Sequence, residues 1–105
     1  MDKWNIEDET GYKPITTFWK DFSIADRFGL DAIQDTYNRA FSEWKDDYKY
    51  LTEFVMVLNH KCWDYYRKNK EKYYELYLKL FEEANAYALN NLKDEEFGYF
   101  YEVTN

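Results

Sequence analysis

Leu51-Thr52-Glu53-Phe54-Val55-Met56-Val57-Leu58-Asn59-His60-Lys61-Cys62-Trp63-Asp64-Tyr65, residues 51–65, decides the fold. Leu51, Val55, Leu58, Cys62 and Tyr65 recur at alternating intervals of four and three, the repeat of one helix face. Phe54, Met56 and Val57 widen that face, so the segment reads as a helix buried on several sides. Phe54 to Leu58 alone could read as a strand, but the helical periodicity continues on both sides. Arg67 and Lys68 follow in the last turn, where the helix dipole favours cations.

Outward from this segment, turn formers are scarce. The only glycines are Gly11, Gly29 and Gly98, the only proline is Pro14, and neither type occurs between Leu30 and Phe97. Hairpins and strand crossovers need such residues, so an all-α fold is expected. A first helix is expected from about Phe18 to Phe28, with Thr17 as its N-cap and Gly29 as its stop. Ser23 and Asp26 could form a capping box that splits it. A second helix starts with Asp31 and Gln34 in capping-box spacing and lines up Ile33, Tyr37, Ala40, Phe41 and Trp44. Asp46 with Asp47 is the only stop signal before Tyr48; two separate helices are expected there, against one long rod. Asn69 and Lys70 break the chain before a fourth helix, about Glu71 to Leu92, with Tyr73, Tyr77, Leu80, Phe81, Ala84 and Ala88 on one face. Asp94 is a candidate cap for a short last helix carrying Phe97, Phe100 and Tyr101. The expected architecture is a compact bundle of four main helices over 17–105, with that short C-terminal helix. Residues 1–16 are expected to be an acidic N-terminal arm that Trp4, Ile6 and Tyr12 could pin to the body.

The 105 residues suit one domain with one modest core. Hydrophobic and charged fractions of 46% and 33% are those of an ordinary globular chain. Aromatic residues are in excess: 12 Tyr, 8 Phe and 4 Trp. A core of this size holds about half of these rings, so the others fall at its margin, at the surface or against a partner. Net charge is -7, which disfavours nucleic acid and anionic membranes and favours a partner with a basic surface. The acid is patchy. Residues 31–48 hold five acids against two bases, and the tail from Asp94 has four acids and no base. A single cysteine, Cys62, precludes an internal disulfide and suggests a reducing compartment. The polar start, Met1 to Glu9, is unlike a secretory signal, and Phe54 to Leu58 is too short to span a bilayer. A cytoplasmic location in a bacterial host, with no membrane contact, is expected.

Chemistry is sparsely provided for. His60 and Cys62 are two apart on a helix and do not face one another, which argues against a nucleophile pair. Glu53 and His60 share a face, but one histidine and one carboxylate make a poor metal site. No phosphate loop, nucleophile elbow or di-metal bundle motif is found. No catalytic, cofactor-binding or metal residue is therefore assigned, and no cofactor. The stretch 61–79 carries six bases (Lys61, Arg67, Lys68, Lys70, Lys72 and Lys79) against Asp64, Glu71 and Glu75. Trp63, Tyr65, Tyr66, Tyr73, Tyr74 and Tyr77 are interleaved, the composition of a single-stranded nucleic-acid binder, although the core claims about half of these rings.

The segment Thr10 to Trp19, followed by Asp21 to Gly29, Thr36 to Phe41 and Tyr48 to Glu53, resembles short proteins encoded by phages and mobile elements of Firmicutes. The resemblance covers most of the chain. It brings no activity and no functional residues with it; it implies a mobile-element setting, where small acidic proteins act against host machinery. The leading expectation is a non-enzymatic acidic protein-binding module, in its sharpest form an anti-CRISPR-like inhibitor of a host defence or nucleic-acid-binding protein. Its candidate contact residues are Asp46, Asp47, Glu95 and Glu96 at predicted helix starts, with Tyr66 and Tyr74 as aromatic anchors. A homo-oligomeric assembly protein and a nucleic-acid binder are the rival readings.

Overall fold

The computed structural model describes residues 16–104. Residues 1–15 of the expected acidic arm, with Trp4, Ile6, Tyr12 and Pro14, lie outside them, and its last residue, Thr16, belongs to α1. The described residues form five helices and no strand: α1 (Thr16–Phe28), α2 (Leu30–Trp44), α3 (Tyr48–Arg67), α4 (Glu71–Asn91) and α5 (Asp94–Thr104).

α3 is the central element and packs against each of the other four. Leu51, Phe54, Val55, Val57, Leu58 and Cys62 are all buried, so its wide apolar face is covered on several sides as its sequence pattern requires. Asp47 starts it. Its carboxylate accepts from the backbone N–H of Lys49 at 3.1 Å and of Tyr50 at 3.3 Å, two donors that lack a partner within the helix. α2 and α3 are therefore separate helices. At the other end Asn69 takes a left-handed φ of 60°. Lys70 N–H donates to the Tyr65 carbonyl and Asn69 N–H to that of Tyr66, the paired bonds of a Schellman stop.

Four expected caps are corrected. α1 already includes Thr16, so Thr17 lies inside the helix, and α1 runs unbroken through Ser23 and Asp26. α2 begins at Leu30, one residue before the expected cap Asp31, and its N-cap is Gly29. Gly29 has φ 111°, which L side chains rarely adopt, and this lets α1 and α2 meet with one residue between them. Gln34 is not in a capping box but donates to Asn38 at 3.0 Å. α5 includes Asp94, so Lys93 precedes it and Glu96 reaches back to accept from Lys93 N–H at 3.1 Å.

Aromatic side chains make much of the core. Phe54 contacts Phe18 and Phe22 of α1, and Tyr37 and Phe41 of α2. Tyr77 of α4 packs on Phe22 and Tyr65. These pairs also fix direction. Phe18 lies beside Tyr50 near the start of α3, and Asp26 bonds Lys61 near its end, so α1 and α3 run the same way. α2 and α4 run against them, since Trp44 returns to Tyr50, and Phe41 meets Tyr87.

Candidate functional site

The densest polar cluster joins α1, α3 and α4. The Lys61 ammonium donates to Ser23 Oγ at 2.8 Å and to Asp26 Oδ2 at 2.9 Å, and lies 4.2 Å from the centre of the Trp19 ring. Tyr77 Oη donates to Asp26 Oδ1, and Tyr73 Oη to the Asp26 carbonyl at 3.3 Å. Burial and the bond to Asp26 push the Tyr77 hydroxyl well above the usual tyrosine range, and Tyr65 is raised by the same two causes. A serine beside a lysine is also the geometry of a nucleophilic pair. Here the ammonium donates to two oxygens, so no lone pair faces Ser23. The cluster is built to hold α1 on α3. Sequence reasoning missed it, assigning Lys61 to the basic stretch and Ser23 with Asp26 to a cap. A signal was present: Lys61 stands seven residues after Phe54 and four after Val57, on the apolar side of α3.

His60 and Glu53 do not form a joint site, because Glu53 is buried and His60 is exposed. His60 instead lines a cavity of about 390 Å³ between α3, α4 and α5, with Met56, Asn85, Leu89, Phe97 and Tyr101. Cys62 is buried, and burial together with the charge of Glu82 pushes its thiol up, away from the reactive thiolate. Among the described residues, no group of three His, Cys, Asp or Glu side chains could hold a metal ion. No helix among them is long and apolar enough to cross a membrane.

Asp46, Asp47, Glu95 and Glu96 come from two corners, α2–α3 and α4–α5, and the fold brings both to one end. Tyr87 near the end of α4 donates to Asp46 at 3.3 Å, and Tyr48 of α3 meets Tyr99 of α5 edge-on at 5.4 Å. The four acids are not equivalent. Asp47 caps α3 and Glu96 caps α5, whereas Asp46 and Glu95 cap neither helix; Asp46, Asp47 and Glu95 are exposed.

Tyr66 and Tyr74 also come together, their rings 5.3 Å apart across the α3–α4 corner. Trp63 extends the pair, meeting Tyr66 edge-on at 5.6 Å. Trp63 and Tyr66 are 51% and 56% exposed. Arg67, Lys70 and Lys72 are exposed in the same corner, with Glu71 between the two lysines, while Lys68 is bound to Asp64 at 3.1 Å. Of the aromatic residues in this stretch, Tyr65, Tyr73, Tyr74 and Tyr77 pack towards the core, so Tyr74 is a half-buried residue and not the exposed anchor expected. A second surface feature was not expected: Phe28 is 78% exposed beside Ile24, over a groove of about 400 Å³ between α1 and α2. No protein-family model matches the chain, and no match was found among curated proteins or solved structures.

Proposed function

We propose that this chain is a non-enzymatic protein-binding module, a compact bundle of four main helices whose acidic end occupies a basic surface on another protein. One observation carries the reading: the acids of two corners distant in sequence stand at one end of the molecule, joined through the Tyr87–Asp46 bond and the Tyr48–Tyr99 contact. Two helix starts with acids in or just before the first turn present fixed negative charge, which steers encounter with a positive groove and suppresses acidic partners. The setting proposed from the family resemblance is a phage or mobile element acting inside a bacterial cell, with the module inhibiting a host defence or nucleic-acid-binding protein.

The test uses the immobilised full chain in bacterial lysate beside an Asp46→Lys/Glu95→Lys variant, which leaves the capping carboxylates Asp47 and Glu96 in place. A Glu75→Lys variant, altered on exposed α4 away from this end, is the control. The expected result is a protein retained by the parent and the control, released by salt, and lost from the double variant. Retention that ignores both salt and reversal refutes the acidic-end reading.

A further inference from the structure

We propose that this chain also binds itself head to tail, the acidic end of one copy seating on the aromatic, basic α3–α4 corner of the next. The inference shares the acidic end with the function proposed above, but the corner is an independent surface. The two lie at opposite ends of α3, whose 20 residues span about 30 Å. The two ends carry opposite net charge, although Lys45, Lys49 and Lys93 stand among the acids and Asp64, Glu71 and Glu75 among the bases. The corner carries the exposed Arg67, Lys70 and Lys72 with the exposed Trp63 and Tyr66, and Lys70 and Glu71 share a groove with Tyr66 and Tyr74. The acidic end presents Asp46, Asp94 and Glu95, and α5 carries Phe97 and Tyr101, partly exposed with rings 6.2 Å apart. Opposite charge around aromatic anchors is the composition of a specific contact. Beyond about 8 Å physiological salt screens the repulsion between two acidic copies, so the charges facing each other at the contact decide.

A second copy fits this corner better than a nucleic-acid strand. The Trp63 and Tyr66 rings meet at 83°, and Tyr66 and Tyr74 at 54°, so they do not lie parallel as a run of platforms for successive bases. Three surface cations beside Glu71 would also release few counterions from a phosphate backbone. The contact is heterologous. Each copy added leaves one acidic end and one basic corner open, which generates rings or open chains.

Sedimentation velocity of the purified full chain over a concentration series, at physiological and high salt, reads the assembly directly. The parent is expected to form oligomers that grow with concentration and dissolve in salt. An Asp46→Lys/Glu95→Lys variant and an Arg67→Glu/Lys70→Glu variant, each checked by circular dichroism, are expected to be monomers alone. Mixed in equal amounts, they retain one good interface and are expected to give a dimer and nothing larger. Trp63→Ala, at an exposed position that leaves the core intact, is expected to weaken assembly about tenfold. A parent that stays monomeric throughout overturns the inference without touching the lysate test, as does a mixture that fails to pair. Retention of a single-stranded oligonucleotide by a monomeric parent, lost in the corner variant, reassigns the corner to nucleic acid.

Discussion

The Lys61 ammonium and the Asp26 carboxylate stand 2.9 Å apart with side chains only 4% and 10% exposed, joining the C-terminal half of the core helix to the end of α1. Removing one partner strands the other charge. Lys61→Met is expected to destabilise by about 3–5 kcal/mol, the range for breaking a buried pair. Lys61→Met with Asp26→Asn is expected to recover part of that loss, because the double variant leaves no buried charge and keeps an acceptor for the Tyr77 hydroxyl. Urea unfolding of both variants checks this, and equal loss in the two refutes the ion-pair account.

Leu58 is fully buried on α3. Leu58→Ala leaves a cavity and is expected to cost about 2–5 kcal/mol. A shift in the urea midpoint at unchanged slope is the readout. A loss below about 0.5 kcal/mol, the size of an ordinary surface change, would remove α3 from the centre of the fold.

Gly29→Ala separates backbone strain from crowding. No heavy atom lies within 4 Å of the added Cβ, yet φ is 111°. The expected cost is about 1–3 kcal/mol, purely conformational. Gly98→Ala also meets nothing within 4 Å and sits inside α5, so it is expected to stabilise by up to about 1 kcal/mol. Thermal melts of the two, moving in opposite directions, check the pair.

Alkaline pH is expected to unfold the protein. Tyr37, Tyr65 and Tyr77 are held above the usual tyrosine range, each mainly by burial; Glu83 adds to the effect on Tyr37 and Asp26 to that on the other two. A raised folded value leaves stability intact below the unfolded tyrosine value of about 10 and removes it as pH climbs beyond. Each hydroxyl that stays protonated only in the folded state contributes about 1.4 kcal/mol per pH unit to the fall. Phenolate absorbance should show these three titrating together with loss of helix. Ionisation of all tyrosines in a still-folded chain would contradict their burial.

The helices were legible where local rules govern. The Leu51 to Tyr65 repeat, the Asp47 start and the Asn69 stop depend on residues within a few positions of each other. Asp31 with Gln34 misled, since the pattern fits a capping box and only the positive φ of Gly29 moves the start to Leu30. Lys61 misled for another reason. Its partners lie 35 and 38 residues away, and a charge count along the chain cannot see them. The acidic candidates were visible as helix-start acids, but their gathering at one end follows from the alternating helix directions, which the chain states nowhere locally.

Gly29 is the whole connection between α1 and α2. A joint of one residue has no slack, so α1 can leave its seat only by pivoting about that residue. Straightening the joint would fuse α1 and α2 into one long rod and carry Ser23 and Asp26 away from Lys61. A neighbouring molecule's α1 could then supply the same two oxygens to that lysine. The corner that completes the fold is thus also where domain exchange between molecules would begin, and a proline introduced beside it should set how readily exchange occurs.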